Sequence, residues 1–100
     1  MKFELQISDE SEQDITEAFL WYEKQKPGLG IVFEENLDIA FNLILCDPFI
    51  CQVRYRKIRI FFINKFPYGI HFLISDNTIK VVAVFHSAKD PKSWNKRIKK

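Results

Sequence analysis

The chain has few of the features that mark secreted, membrane-spanning or metal-binding proteins. Its 100 residues include only two cysteines, two histidines and three glycines. No apolar run approaches the roughly 18 residues that a membrane-spanning helix needs. Residues 1–10 carry three acidic side chains where a signal peptide would be apolar. We therefore predict a soluble cytoplasmic protein with no membrane contact, in which Cys46 and Cys51 are free thiols.

The small number of histidines and cysteines also limits the chemistry that the chain can perform. These residues do not show the ligand spacing of a zinc site, so we predict no metal site and no cofactor. A hydrophobic content of 47% is ample for one packed core. The length predicts a single domain over residues 1–100.

Charge is strongly divided between the two halves of the chain. Residues 1–49 carry eleven acidic and three basic side chains, a net charge of −8, whereas residues 50–100 carry two acidic and twelve basic, a net charge of +10. The sum recovers the formal net charge of +2. Such segregation predicts that one surface faces an anionic partner while the other is solvated.

Hydrophobic periodicity divides the chain into helices and strands. Residues 2–8 alternate between apolar and polar, which predicts a half-buried strand. Asp9 offers an N-cap with Glu12 three residues later, and this pattern predicts a helix from Asp9 to about Lys26. Apolar residues at helical spacing predict a second helix that ends at Asp47-Pro48. Strands are then predicted over residues 49–55, 58–63, 68–75 and 78–86, and a short helix follows Asp90-Pro91.

This order predicts an α+β fold: an N-terminal strand, an antiparallel helical hairpin, four mainly antiparallel strands and a short C-terminal helix. The helices would cover one face of the sheet, and their aromatic residues Trp21, Tyr22, Phe33 and Phe41 would lie in the core. A two-residue turn at Asp76-Asn77 would set Ser75 opposite Thr78. Unbroken alternation then places Ala83 and Phe85 against the helices. It assigns the opposite, basic face to Gln52, Arg54, Arg59, Phe61, His71, Lys80 and His86.

Three motifs resemble the RelE/ParE toxins of bacterial type II toxin-antitoxin systems, a family that includes plasmid stabilisation proteins. They are residues 18–23 (AFLWYE) with 27–30 (PGLG), the Phe66-Pro67-Tyr68 turn, and residues 81–91 (VVAVFHSAKDP). The similarity spans nearly the whole chain. It implies a microbial RNase-like fold and a small acidic antitoxin as partner.

The resemblance leaves two growth-arresting activities open. RelE-like members cut mRNA in the ribosome, and ParE-like members act on DNA gyrase without known hydrolytic chemistry. A toxin that cuts mRNA by 2′-OH attack, an endoribonuclease, needs a proton-transferring group and cations for the phosphorane charge. His86 and Arg59 are the candidate catalytic residues, although a structural hydrogen-bonding role for His86 is equally open. Candidates for contact with RNA or a partner protein are Arg54, Arg56, Lys57, Lys80, Lys89 and Arg97.

Two departures from the family pattern bear on this choice. The chain has no tyrosine after Tyr68, whereas RelE-type sites often use one near the C-terminus. Lys89 stands where related motifs often have arginine, and lysine lacks the planar fork that grips a phosphate. We therefore keep three alternatives: ribosome-dependent mRNA cleavage, gyrase inhibition, and an inactive binding module.

Overall fold

The computed structural model describes residues 2–98 and confirms the α+β fold class. The elements are β1 (Glu4–Ile7), α1 (Asp9–Gln25), α2 (Leu29–Cys46), a 3-10 turn (Pro48–Ile50), β2 (Val53–Tyr55), β3 (Ile58–Phe62), β4 (Tyr68–Ser75), β5 (Thr78–His86) and α3 (Pro91–Arg97).

The N-terminus of α1 is capped one residue earlier than predicted. Ser8, not Asp9, is the N-cap, and its Oγ accepts a hydrogen bond of 3.0 Å from the Ser11 backbone N–H. Asp9 instead belongs to the first turn, where its negative charge interacts favourably with the positive end of the helix dipole. The strand that was predicted to begin at Phe49 is also shorter, because Pro48–Ile50 form a 3-10 turn capped by Asp47 and β2 begins only at Val53.

One glutamate fixes the close packing of the helical hairpin. The two Glu23 carboxylate oxygens accept hydrogen bonds from the backbone N–H groups of Gly28 (2.8 Å) and Gly30 (2.9 Å) at the start of α2. These N–H groups have no partner within their own helix, so the side chain on α1 caps α2. A Cβ at Gly30 would come within 2.8 Å of the Phe19 carbonyl oxygen, which explains why glycine is needed at this crossing.

The five strands form one mixed sheet in the order β1-β5-β4-β3-β2. β1 runs parallel to β5, and the other neighbours are antiparallel. β5 therefore lies inside the sheet, as its unbroken apolar run predicted. β1 pairs with β5 only as far as Val81, so the C-terminal half of β5 extends beyond β1.

A β-bulge interrupts the hairpin of β4 and β5. The predicted Ser75–Thr78 pair is present, and the register continues regularly as far as Phe72 opposite Val81. There β5 holds one extra residue, so His71 faces Ala83, whereas regular pairing from the Ser75–Thr78 pair would set it opposite Val82. Because side chains alternate between the two faces along a strand, every side chain of β5 after the extra residue lies on the face opposite to the one that was predicted.

The sheet is apolar on both faces, which makes the fold three-layered. We call the side that packs on α1 and α2 the front; its core includes Phe33, Ile44, Ile70 and Phe72. The back is the side covered by α3. The buried residues Ile58, Ile60, His71, Ala83 and Phe85 lie on the back. Ala83 and Phe85 were predicted on the helix side, whereas His71 lies on the predicted face.

Three properties of residues 2–98 complete the description. None of the helices in this part of the chain is long and apolar enough to cross a bilayer. Within it, no group of three or more His, Cys, Asp or Glu side chains is arranged to hold a metal ion. Cys46 and Cys51 are both free thiols.

Candidate functional site

A cavity of about 720 Å³ lies between α1 and the C-terminal end of β5. It opens where β1 has ended and α1 runs beside β5. Along that edge Ser11 Oγ donates a hydrogen bond of 3.2 Å to the Val81 carbonyl, and Asp14 Oδ2 accepts one of 3.0 Å from the Val84 N–H. Its polar and aromatic lining includes Asp14, Glu17, Trp21, Tyr68, His86 and Lys89.

His86 faces this cavity rather than the back of the sheet. It pairs with Tyr68 across the ladder, and their rings meet edge to face with centroids 5.2 Å apart. The His86 Nδ1 accepts a hydrogen bond of 3.0 Å from the Ala88 N–H. A neutral His86 ring therefore carries its proton on Nε2. The predicted placement of His86 on the same face as His71 is wrong, because the bulge turns His86 to the front.

The carboxylates of Asp14 and Glu17 lie near the Tyr68 hydroxyl in the cavity lining. Burial raises the pKa of Tyr68, and the nearby Tyr22, Asp14 and Glu17 raise it further. The carboxylate charges of Asp14 and Glu17 therefore act on the tyrosine hydroxyl. Lys89 lies towards the other side, with its Nζ 4.9 Å from the centroid of the Phe85 ring.

Asp14 and Arg97 form a bidentate ion pair between α1 and α3. The Arg97 Nη1 and Nη2 atoms lie 3.0 Å and 3.1 Å from the two Asp14 oxygens, and Nη1 also donates to the Val82 carbonyl at 3.0 Å. The pair thus satisfies backbone groups of β5 beside the bulge. Its hydrogen bond to Asp14 is the main reason that the pKa of Arg97 is raised. Arg97, predicted to contact RNA or a partner, makes structural contacts here.

The back of the sheet holds a buried aromatic cluster under α3. His71 is 2% exposed, and its Nδ1 lies 2.7 Å from the Tyr55 hydroxyl, a hydrogen bond. Trp94 of α3 packs against both rings. Burial lowers the pKa of His71 to about 4, although Asp14 opposes the shift and Arg97 adds to it. His71 is therefore neutral and inaccessible at neutral pH.

Arg59 lies on the front face of β3, two strands away from β5 and the cavity. It pairs with Phe72 across the ladder, which places it on the helix side and not on the predicted basic face. Its guanidinium donates to the Cys51 carbonyl and lies 5.2 Å from the centroid of the Phe49 ring. Arg59 is thus engaged by the segment that precedes β2.

The family model for the ParE toxin of type II toxin-antitoxin systems (parDE) matches residues 5–91. The chain belongs to the ParE toxin family. Its fold is similar to that of a chain in the solved structure of the chromosomal ParDE TA system from P. aeruginosa, with a TM-score of 0.76 and 10% sequence identity. That similarity covers 85% of this chain and 96% of the other, and at such identity it supports the fold alone. No curated protein sequence matches the chain.

The two candidate catalytic residues of this ParE-family toxin are far apart. His86 stands opposite Tyr68, and Arg59 stands opposite Phe72. The four residue steps from Tyr68 to Phe72 span about 13 Å along β4, and the spacings from β5 to β4 and from β4 to β3 add roughly 10 Å across the sheet. The two Cα atoms are therefore separated by about 16 Å. The fold does not bring His86 and Arg59 together.

The other basic candidates are exposed but do not form one cluster with His86. Arg56 and Lys57 form the turn between β2 and β3, both with positive φ angles of 45° and 67°. The Arg54 Cζ lies 5.7 Å from the centroid of the exposed Phe62 ring. Lys80 is exposed on β5 opposite Leu73, two residues before the extra residue of the bulge. These residues keep their predicted role as possible partner contacts, which the fold alone does not test.

Exposed apolar residues form a second surface on the toxin. Ile39 and Leu43 of α2 and Phe62 of β3 are 56%, 51% and 53% exposed. Together with Asn36 and Asn64 they line a groove of about 250 Å³, which we call the α2 groove. Sequence reasoning missed this groove and the α1 cavity. Trp21 was also wrongly predicted as core, since it is 56% exposed at the cavity; Tyr22, Phe33 and Phe41 are buried as predicted.

Proposed function

We propose that this ParE-family toxin arrests growth by inhibiting DNA gyrase in the cytoplasm, rather than by cutting ribosome-bound mRNA. The observation that supports the choice is the separation of the residues that cleavage would need. His86 opens into a cavity with carboxylates, Arg59 is engaged about 16 Å away, and His71 is buried behind the sheet.

Cleavage by an attacking 2′-OH requires a proton-transferring group and a cation at the same phosphodiester. A guanidinium that already contacts the Cys51 carbonyl and the Phe49 ring cannot also reach a phosphate beside His86. Lys89 is the lysine that lines the His86 cavity, and the lining also includes the carboxylates of Asp14 and Glu17. This electrostatic environment disfavours the approach of a polyanion. It favours a toxin that acts by binding, as the resemblance to ParE-like gyrase inhibitors implies.

The antitoxin is the partner that membership of a toxin-antitoxin family implies. We propose that it covers the α2 groove, because three large apolar side chains lie exposed there on a small domain. Arg54 beside Phe62 adds a cation at the rim. An amphipathic antitoxin segment with acidic residues next to its apolar face would match both features.

Purified toxin, released from its antitoxin, tests the proposed target in a gyrase supercoiling assay on relaxed plasmid. We expect supercoiling to stop as toxin approaches equimolar amounts with gyrase, and to resume when antitoxin is added. A parallel induction in cells should leave ribosome-bound mRNAs intact while growth stops. Normal supercoiling with excess toxin, together with cut mRNA, would establish the cleavage alternative. The absence of any growth defect would establish an inactive binding module.

A further inference from the structure

We propose that the cavity between α1 and the end of β5 is a receptor for a lysine or arginine side chain presented by a protein partner. The inference does not depend on whether gyrase is the target. It concerns a site separate from the α2 groove: the cavity lies between α1 and β5, whereas the groove lies between α2 and β3.

The cavity has the two parts that a long cationic side chain requires. Aromatic rings of Trp21 and Tyr68 line its walls and can contact an aliphatic stem or the flat guanidinium. Glu17 supplies a carboxylate whose Oε2 accepts only a 3.3 Å hydrogen bond from the exposed Gln13 amide. The remaining acceptor capacity of this carboxylate is available for a ligand.

An unpaired carboxylate in the lining favours a cation over an anion beside Tyr68. Asp14 is already paired with Arg97, so that pair adds little net charge. Glu17 is the lining carboxylate without such a cationic partner, and its charge helps to raise the pKa of Tyr68. Lys89 lies over the Phe85 ring, and among the described residues it forms no salt bridge with Glu17.

A protein segment fits this site better than a free amine does. Leu20 and Trp21, on the α1 turn that follows Glu17, are 58% and 56% exposed. A small amine would leave both side chains in water. A segment that inserts one basic side chain and lays apolar neighbours on Leu20 would bury them.

The two tryptophans provide a direct readout. Trp21 lines the cavity, whereas Trp94 is part of α3 and packs on the back of the sheet. In ¹H–¹⁵N NMR spectra of the full chain, titration with Nα-acetyl-arginine amide should shift the Trp21 indole resonance and leave that of Trp94 unchanged. Nα-acetyl-citrulline amide, the uncharged analogue of the same shape, is the matched probe and should bind at least threefold more weakly, by about the strength of a partly exposed ion pair.

Opposite charge changes at the two sides of the cavity give the decisive comparison. Glu17→Gln should weaken binding of the arginine probe by about two- to fivefold, and Lys89→Gln should strengthen it by a similar factor. Glu34→Gln makes the same charge change on exposed α2, outside the cavity, and should leave the affinity unchanged. The reverse pattern would mean an anion site, and no Trp21 shift with any probe would mean no site; either result overturns the proposal.

The source of the cation is tested with peptides. The tripeptide acetyl-Leu-Arg-Leu-amide should bind more tightly than Nα-acetyl-arginine amide, because its apolar residues can cover Leu20 and Trp21. The Leu20→Ser variant should remove that gain and keep the binding of the arginine probe. Putrescine or spermidine binding more tightly than the tripeptide would overturn the assignment to a protein partner.

Discussion

The ion pair of Asp14 and Arg97 should contribute strongly to the stability of the toxin. Their side chains are only 15% and 18% exposed, and the contact is bidentate. Leaving one member of a buried pair without its partner costs about 3 to 5 kcal/mol, and less where water reaches the site. Arg97→Met also removes the donor to the Val82 carbonyl, a further loss of about 1 kcal/mol. We expect Arg97→Met to lower the free energy of unfolding by roughly 3 kcal/mol.

Asp14→Asn separates the charge from the backbone contact. The asparagine oxygen can still accept from the Val84 N–H, so the loss of about 2 kcal/mol should come from the unpaired Arg97. Asp14→Asn with Arg97→Met should cost little more than Arg97→Met alone, because the double variant holds no unpaired charge. The expected coupling energy is at least about 1 kcal/mol.

Urea unfolding of the four proteins, monitored by far-UV circular dichroism, measures this cycle. Strictly additive losses would refute the ion pair as a coupled unit. If Arg97→Met instead kept full stability and lost growth arrest, Arg97 would act on a target, as the sequence predicted. Growth arrest measured for Asp14→Asn at low temperature, where the variant stays folded, separates the two roles.

Two further predictions concern His71 and the α2 groove. The pKa of His71 falls from 6.5 to about 4 on folding, so the unfolded chain binds a proton more readily than the folded chain between these pH values. The free energy of unfolding should therefore be highest above about pH 6.5 and should fall by roughly 3 kcal/mol as the pH is lowered to 4. His71→Gln should flatten this part of the pH profile in chemical denaturation, and an unchanged profile would contradict the assignment. Leu43→Lys should weaken antitoxin binding by about tenfold or more in calorimetry. Leu43→Met is its apolar control, and equal affinities of both variants would place the antitoxin elsewhere.

The helices and strands were predictable because each has a clear local signal. Apolar residues at helical spacing identified α1 and α2, and Pro48 marked the end of α2. Asp90 and Pro91 indicated the N-terminus of α3, where the Asp90 side chain accepts from the Lys92 N–H. These signals lie within one or two turns of the chain, so a single sequence suffices to read them.

The side on which each strand residue lies was not predictable in the same way. From Val81 to Phe85 every residue of β5 is apolar, so alternation carries no mark of the extra residue. The same ambiguity affects β3, where Ile60 and Phe61 suit either face. An apolar run on both faces does indicate two covering layers, and it was the one signal that could have suggested α3 on the back.

Long-range contacts account for the remaining differences. Asp14 and Arg97 are 83 residues apart in sequence and come from the acidic and basic halves of the chain. Part of the charge segregation is therefore used within the fold, where it joins α1 to α3. A count of charges by half cannot distinguish such internal pairing from a surface that awaits an anionic partner.

The bulge determines which histidine is accessible, and on which side. Without the extra residue in β5, His86 would lie on the back, the same face as the buried His71. With it, His86 emerges at the front, beside Tyr68 and the carboxylates of α1. Phosphodiester cleavage needs cations beside the proton-transferring histidine, whereas the cavity that His86 enters is lined by the carboxylates of Asp14 and Glu17 as well as by Lys89. The motif around His86 therefore does not specify the chemistry of this toxin; the register of β4 and β5 places that histidine among carboxylates.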